Sequence, residues 1–413
     1  MRKTRPPMRR GTGARRRSTT KAPTVRRGAP RAVVGSGASD TGARRAHGLA
    51  TRLEQAQREA LAVTFWCEAG LPRGSEAASI KITGRRLDAE GRREPADQFV
   101  REELVERLPA GSGPFSITAR VRDVHPGTWR VTAEMVPRDG RASPRSHRRG
   151  VAPKPQPLEP AVWSWRRRRL STGSSSVQTG IDIFGRAPGI VPGVWPAVVA
   201  AGIVIALAVQ RMLAGRLGLH VGPTLLVSAI AVVAGAVGAK AWYMVIHRRT
   251  RRSDGWCIQG FLLMVAVVAV AVVPASGLPL GTFLDATTPA LLLGMGVGRV
   301  GCVFAGCCSG RPTSSRWGVW SSDRHLGIRR VPTQLLEAAL ALTIGATTLL
   351  VVVSYRPGVR GAIFVAALGL YTLCRQGLLR FRAEERQTSR GPAATAVVAA
   401  VALVTSVVVI ALA

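Results

Sequence analysis

The feature that most constrains this chain is a series of seven apolar stretches in its second half. They cover residues 193–213, 222–246, 257–276, 284–306, 334–354, 359–380 and 392–413. Each is close to the ~20 residues that a helix needs to cross ~30 Å of hydrocarbon. The sequence therefore predicts an all-α polytopic membrane bundle of about seven transmembrane helices over residues 191–413, in a multi-pass membrane protein.

The first half is basic and much less apolar, which excludes a single soluble globular domain. The chain has 58 Lys+Arg against 23 Asp+Glu. Residues 1–48 consist largely of Arg, Gly, Pro, Ser and Thr and predict a disordered tail, because they bury too little surface to offset the entropy of ordering. Beside a membrane domain, such a tail is expected to bind anionic lipid headgroups. Nucleic-acid binding is disfavoured, since no aromatic residues interleave with the arginines.

Residues 49–140 have a different pattern, with short runs rich in Val, Ile, Thr, Phe and Trp. The runs ALAVTFWCE, ASIKITGRRLD, GPFSITARVRDV and GTWRVTAEMV are separated by Gly- and Pro-containing turns. This spacing predicts a small all-β, sandwich-like domain without a catalytic constellation. Residues 141–190, rich in Pro, Ser and Arg, predict a basic linker.

The arginines between the apolar stretches bear on orientation. On the side shared with the N-terminus there are four at 248–252, five at 311–330 and four at 380–390. The loops on the other side hold two, none and two. Because basic loops stay in the cytoplasm, this distribution places the N-terminus there.

The strongest local signal is the segment GMGVGRVGCVFAGCCSGRP at residues 294–312. It places Arg299 inside an apolar stretch, where a charge is costly and is by default a functional candidate. A cleft lined by glycine, with guanidinium donors, suits a phosphate or a carboxylate. The alternative is a helix-packing motif whose arginine extends to the interface. Neighbours assigned to the same candidate site are Gly298, Gly301, Gly310 and Arg311.

A second signal is VPTQLLE at residues 331–337, where a helix start at Pro332 precedes Gln334 and Glu337. Glu337 enters the apolar stretch, so it needs a partner such as an arginine. The alternative is an ordinary helix N-terminus with an acidic first turn.

Two further polar groups lie in apolar stretches. Tyr371 and Arg375 are four residues apart and share one helix face. Arg375 lies deeper than Arg380 and Arg382, which are expected to extend to the interface. Gln259 lies near the start of the third stretch, where a capping role is the simpler interpretation.

Three cysteines cluster in the sequence at Cys302, Cys307 and Cys308. No histidine lies near them in the sequence, and their spacing matches no common zinc pattern. The sequence therefore predicts packing cysteines, with no metal site and no cofactor. Thiol redox or metal chemistry is the alternative.

Together these motifs resemble the prolipoprotein diacylglyceryl transferase family of bacterial inner-membrane enzymes with seven spans. The family signature G-x-G-R-I-G-x-x-x-x-G-x-x-x-G-R-P is similar to GVGRVGCVFAGCCSGRP at 296–312. The family's H-P-[ST]-Q-L-Y-E is similar to VPTQLLE at 331–337, and its Tyr-x-x-x-Arg pair matches Tyr371 and Arg375. The resemblance covers roughly residues 180–385.

The resemblance implies transfer of the diacylglyceryl group of phosphatidylglycerol to the lipobox cysteine of a prolipoprotein signal peptide. It implies that two arginines hold the phosphate, that a tyrosine orients one of them, and that a glutamate balances their charge. The implied catalytic residues are Arg299, Arg375, Tyr371, Gln259 and Glu337. The implied substrate-binding residues are Gly298, Gly301, Cys302, Gly310, Arg311 and Gln334.

This chain departs from the family at several positions. The family's histidine before Gly-Gly is Gln259, and glutamine cannot act as a general base. The family's asparagine and acidic residue within the signature are Cys302 and Cys307. The departures leave open another base, another acceptor, or a non-catalytic relative that binds lipid or recruits partners. The family also places its N-terminus outside the cytoplasm, opposite to the loop charges.

Overall fold

A computed structural model describes most of the chain after residue 58. The described residues are 59–67, 75–89, 94–105, 108–109, 113–121, 124–139, 156–164, 169–172, 176–178, 180–181, 187–246, 256–355, 358–383 and 391–412. The basic tail predicted over residues 1–48 lies outside them.

Seven helices in the described part are long and apolar enough to span a membrane, as predicted. They are α1 (Val194–Arg216), α2 (Val221–Ile246), α3 (Ile258–Ala275), α4 (Leu280–Ala305), α5 (Thr333–Ser354), α6 (Ala362–Leu378) and α7 (Gly391–Leu412). Their ends follow local signals. For example, α4 ends at Gly306, whose left-handed backbone (φ 63°) closes the helix, and α5 begins directly after Pro332.

Helix α4 is central in the bundle and packs against α1 on one side and α5 on the other. Gly202 of α1 and Gly294 of α4 lie so close that a Cβ on either would be 2.5 Å from the other's carbonyl oxygen. On the other side, Gly296 lies against Leu342 of α5. Small residues allow the helices to approach this closely. Within lipid the hydrophobic effect does not drive helix association, so the van der Waals contacts of such close packing contribute to it instead.

The described residues before α1, together with a hairpin between α4 and α5, form one antiparallel sheet with a single hydrophobic core. Its strands are β1 (Glu59–Cys67), β2 (Ser75–Arg86), β3 (Gln98–Val105), β4 (Phe115–Val121), β5 (Thr128–Asp139), β6 (Gln156–Ser164), β7 (Arg169–Thr172), β8 (Ser176–Gln178), β9 (Gly180–Ile181), β10 (Val319–Ser322) and β11 (Leu326–Arg330). The order is β10-β11-β4-β1-β6-β5-β2-β3, with β7, β8 and β9 pairing with β6, β5 and β1. Strands β1, β2, β4 and β5 all bury side chains in one core, including Phe65, Ile82, Phe115 and Trp129, so the predicted small all-β, sandwich-like domain is confirmed.

The sheet uses segments that the sequence did not assign to it. The predicted linker at residues 141–190 contributes four strands, β6–β9, to the sheet. Its prolines suggested a linker, but Pro157 and Pro160 lie in β6, whose ladders to β5 and β1 are only three and two residue pairs long. A missing N–H is tolerated in such a short ladder.

The connection between α4 and α5 joins the membrane bundle to the sheet. Its hairpin, β10–β11, pairs with β4 through Leu326 and Gly327. His325 in the hairpin turn lies 2.8 Å from Glu103 of β3 through Nε2, and its Nδ1 lies 3.0 Å from the Thr118 carbonyl oxygen. The sheet is thereby attached at the end of the bundle where α4 ends and α5 begins.

Candidate functional site

The centre of the site is an ion pair between α4 and α5. Arg299 lies in the last two turns of α4, and Glu337 lies in the second turn of α5. Arg299 Nη1 is 3.2 Å from Glu337 Oε2, and the glutamate side chain is only 2% exposed. The expected arginine partner of Glu337 is thus present. A carboxylate so deeply buried requires such a partner.

A second guanidinium reaches the same carboxylate from the far end of α6. Arg382 follows a 3-10 turn at Leu379–Phe381, and its Nε lies 3.5 Å from Glu337 Oε1. The expectation that Arg382 extends to the interface is wrong, since the residue is buried. Two guanidiniums at one place offer several N–H donors, which suits an anionic group.

Backbone contacts hold Arg382 in this position. Arg311 donates from Nε to the Arg382 carbonyl oxygen at 3.0 Å and from its backbone N–H to the Phe381 carbonyl oxygen at 2.7 Å. The backbone N–H of Ala383 donates to the Ser309 carbonyl oxygen at 3.0 Å. The predicted residue Arg311 is itself exposed, and it braces the turn that carries Arg382.

The start of α5 fixes the loop that follows α4. Thr333 Oγ1 donates to the Cys308 carbonyl oxygen at 3.1 Å, and Gln334 Nε2 donates to the Cys307 carbonyl oxygen at 3.1 Å. Both side chains are buried. Gln334, a predicted substrate-binding residue, therefore holds the loop beside the ion pair.

Helix α6 brings Tyr371 to the site. Tyr371 is buried and interacts electrostatically with Arg299. Its hydroxyl oxygen and the Nε of half-buried Arg375, one turn further along, are buried polar atoms without a hydrogen-bond partner in the described part of the chain. The arginine that meets Glu337 opposite Arg299 is Arg382. A meeting of Arg299 with Arg375 stays a prediction.

The predicted glycines are explained by close packing. A Cβ on Gly301 would be 3.2 Å from Val198 of α1, and one on Gly298 would be in ordinary contact with Val199. Gly310 lies directly against the Val331 carbonyl oxygen, where no side chain fits. These glycines set the spacing of the elements that carry Arg299.

Gln259, which replaces the family's histidine, lies at the start of α3 and is exposed. Its Oε1 lies 3.7 Å from the Sγ of Cys257, whose backbone N–H donates to the Ala239 carbonyl oxygen of α2 at 3.1 Å. Among the contacts of the described residues, none joins Gln259 to Arg299 or Glu337.

The three clustered cysteines meet beside Arg299. The sulfur atoms of Cys302, Cys307 and Cys308 all lie within 4.8 Å of one another. Arg299 Nη1 lies 3.8 Å from Cys308 Sγ. The sequence spacing gave no sign of this arrangement, because it depends on the turn after α4.

Two buried charged residues in α4 and in the connection to α5 were not predicted from the sequence. Arg330, 2% exposed, pairs with Asp323 at 2.6 Å and donates to the Gly310 carbonyl oxygen at 3.1 Å, so it braces the connection between α4 and α5. Asp285 of α4 accepts from the backbone N–H groups of Gly361 and Phe364 at 2.6 and 3.1 Å, where α6 begins. A signal for Asp285 was available, since it is an acidic residue inside an apolar stretch.

Three curated proteins are similar to parts of this chain. A phosphatidylglycerol–prolipoprotein diacylglyceryl transferase of Dehalococcoides mccartyi (strain 195) is 36% identical over 100 residues, which are 23% of this chain and 38% of that protein. The Clostridium perfringens enzyme numbered 2 is 28% identical over 133 residues, 28% of this chain and 50% of that protein. The Clostridium tetani enzyme is 24% identical over 171 residues, which are 38% of this chain and 65% of that protein. The matched part of this chain thus covers between 38% and 65% of the length of these three relatives.

A family model covers the whole helical bundle. The model described as prolipoprotein diacylglyceryl transferase matches residues 193–413, from just before α1 to the end of the chain. This range contains the Arg299–Glu337–Arg382 cluster, the three cysteines and the hairpin that joins the sheet. The chain therefore belongs to the prolipoprotein diacylglyceryl transferase family.

Proposed function

We propose that this protein transfers the diacylglyceryl group of phosphatidylglycerol to the thiol of a lipobox cysteine in a prolipoprotein, in the plasma membrane of a bacterium. The names of the relatives and the family model support the reaction class. The observation that carries the proposal is the buried Arg299–Glu337–Arg382 cluster, because it brings two guanidinium groups to one place in the helical bundle, where they can bind a phosphate.

The reaction needs cationic donors at the leaving group. The acceptor sulfur attacks the glyceryl carbon that carries the phosphate ester, the C–O bond breaks, and its electron pair stays on the phosphate oxygen. Charge therefore develops on the leaving glycerol phosphate. Fixed guanidiniums in a site with little water stabilise such charge far better than water does. Arg299 and Arg382 fill this role, and Glu337 holds both in place.

Tyr371 and Arg375 supply further donors on the same helix. Both carry a buried polar atom without a protein partner in the described part, and leaving such an atom unsatisfied is costly. Hydrogen bonds to the phosphate or to the glycerol headgroup would satisfy them. We assign both residues to headgroup binding, together with the loop held by Gln334.

The surrounding parts have proposed roles of their own. The predicted domains are the basic tail at 1–48, the β-domain at 49–140, the linker at 141–190 and the transferase domain at 191–413. The tail is proposed to bind anionic lipid headgroups at about 1 kcal/mol per charge near the surface. The β-domain, attached next to the site by the hairpin of β10 and β11, is proposed as an accessory module.

A transfer assay tests the proposal. Full-length protein in nanodiscs containing phosphatidylglycerol is incubated with a lipobox peptide, and the thioether-linked product is measured by mass spectrometry. We expect product with phosphatidylglycerol and none with phosphatidylcholine or with a peptide whose cysteine is serine. No product from correctly folded protein contradicts the proposal.

A second function, a non-catalytic lipid-binding scaffold, is favoured by one observation. Gln259 stands where the family has its histidine, and it is exposed at the start of α3. This alternative predicts retention of phosphatidylglycerol by the purified protein without any thioether product. Product formation excludes it.

A further inference from the structure

We propose that Cys302, Cys307 and Cys308 bind a zinc ion as three thiolate ligands and leave its fourth position open for the thiol of the acceptor. The inference rests on the proposed function, from which it takes the acceptor thiol. It gives that reaction the means of deprotonating the thiol that Gln259 cannot supply.

The geometry of the three sulfurs fits a metal site. They lie within 4.8 Å of one another, whereas thiolates at ~2.3 Å from a tetrahedral zinc ion are about 3.8 Å apart. A rotation of side chains that moves the sulfurs by about 1 Å therefore completes the site. In the described part of the chain, the group contains these three ligands and no fourth. Three protein ligands with an open position are typical of catalytic zinc.

The backbone after α4 is shaped to bring the sulfurs together. Gly306 and Cys308 both have left-handed backbone, with φ of 63° and 56°. In a residue with a side chain this conformation is uncommon and persists only where neighbours hold it. The hydrogen bonds from Thr333 and Gln334 to the carbonyl oxygens of Cys308 and Cys307 hold it here. The turn carries Cys307 and Cys308 back towards Cys302 in the last turn of α4.

The charges of the two clusters are complementary. Three thiolates around a divalent ion carry one net negative charge, and the guanidiniums of Arg299 and Arg382 lie beside them. Arg299 Nη1 lies 3.8 Å from Cys308 Sγ, and Arg382 also interacts electrostatically with Cys308. Neutralisation by neighbours is what makes charged groups tolerable at this depth.

The proposed site also gives access to a substrate. Cys307 and Cys308 are half-buried, whereas Cys302 is buried. A thiol that coordinates zinc loses its proton outright. The bound acceptor sulfur then forms the C–S bond to the glyceryl carbon, the C–O bond breaks, and glycerol phosphate leaves with the electron pair beside Arg299. The proton released by the thiol passes to solvent.

Metal content tests the ligands independently of activity. Full-length protein is purified with zinc and its metal is measured by mass spectrometry. We expect about one zinc per chain in the wild type and in the control Cys374→Ser, whose exposed thiol lies on α6. Cys307→Ser is expected to weaken zinc binding by more than about 100-fold, the usual upper limit for loss of an outer partner. The double variant Cys302→Asn with Cys307→Glu, which introduces the residues of the family pattern, should fold and bind no zinc.

Cobalt substitution tests the open position. Co²⁺ in place of zinc gives thiolate charge-transfer bands, and a lipobox peptide is then added. We expect the spectrum to change to that of a four-thiolate site with the cysteine peptide and to stay unchanged with its serine analogue. A spectrum insensitive to the cysteine peptide overturns the assignment of the open position.

The outcomes separate this inference from the proposed function. Wild-type protein that carries no zinc, or whose three cysteines contain a disulfide, overturns the inference. Transfer at full rate by zinc-free protein overturns it while the proposed function stands. Protein that binds zinc and shows the cobalt response but forms no product contradicts the proposed function and leaves the metal site in place.

Discussion

Each end of the helical bundle buries one carboxylate, and the two carboxylates are stabilised by different kinds of partner. Near the loop after α4, Glu337 lies between the guanidiniums of Arg299 and Arg382. At the opposite end of α4, Asp285 accepts backbone N–H groups of Gly361 and Phe364. Asp285 thus acts as a cap for α6, where unpaired N–H groups and the helix dipole favour a negative charge.

The partners of the two carboxylates indicate different roles, a structural one for Asp285 and a functional one for Glu337. Asp285 satisfies donors that the helix leaves free, and no cation accompanies it among its described partners. Glu337 instead brings two arginines together, and one of them interacts with Tyr371, whose hydroxyl has no hydrogen-bond partner in the described part of the chain. Only the second arrangement keeps capacity for an anionic ligand, so the candidate site belongs at the Glu337 end.

The largest effect on stability is expected from Glu337→Gln. The change keeps the shape but removes the buried negative charge that Arg299 and Arg382 share, and breaking such a buried ion pair costs about 3–5 kcal/mol. We expect a clearly lower thermal midpoint in detergent, measured by circular dichroism, and loss of transfer. An unchanged midpoint would show that the pair contributes little.

Arg299→Ala is expected to act mainly on the reaction. Removal of one preorganised donor from a developing charge lowers the rate by about 10²–10³-fold, or about 2.7–4 kcal/mol. The matched control is Arg380→Ala, because Arg380 is exposed close to Arg382 in the chain. Transfer rates from thioether product, compared at equal amounts of folded protein, test this. Equal rates for the two variants would remove Arg299 from the mechanism.

Asp285→Asn tests the opposite end of the bundle. The neutral amide still accepts hydrogen bonds, but these bonds are weaker than bonds to a carboxylate. A hydrogen bond to a charged group contributes about 1.5–3 kcal/mol, and the variant loses only part of this for each of the two bonds. We expect a moderately lower thermal midpoint and a normal transfer rate per folded protein. A strong loss of rate with an unchanged midpoint contradicts a purely structural role.

The smallest effect concerns the attachment of the sheet. The hydrogen bond with Glu103 raises the pKa of His325. Burial raises the pKa of Glu103, but the hydrogen bond and charge of His325, with a contribution from Arg101, lower it overall. The stabilisation from His325 is lost as the pH rises through its raised pKa, and that from Glu103 is lost as the pH falls through its lowered pKa. The attachment is therefore strongest between the ordinary pKa values of the two groups.

Hydrogen exchange of β10 and β11 measures this attachment. His325 is 46% exposed on its side chain, so the ion pair contributes only about 0.2–1 kcal/mol. We expect protection, corrected for intrinsic exchange, to fall from pH 6 to pH 8 in the wild type and to lose that pH dependence in Glu103→Gln. A similar pH dependence in the variant would assign the effect to other groups, such as Asp323, which also interacts with His325.

The sequence by itself determined the seven spans and the all-β character of the region before them that the structure describes. Both depend on local patterns, because a helix in lipid must satisfy its own backbone, and an apolar run of sufficient length shows where this happens. The sequence also indicated Arg299 and Glu337, since a charge in an apolar run needs a partner.

Only the tertiary structure decided which groups meet. Arg382, beyond the end of α6, reaches Glu337 because the 3-10 turn and the bonds from Arg311 fold it back onto the bundle. The sulfurs of Cys302, Cys307 and Cys308 converge through the left-handed turn after α4. These contacts depend on backbone turns and on partners distant in the chain, and neither leaves a periodic pattern in the sequence.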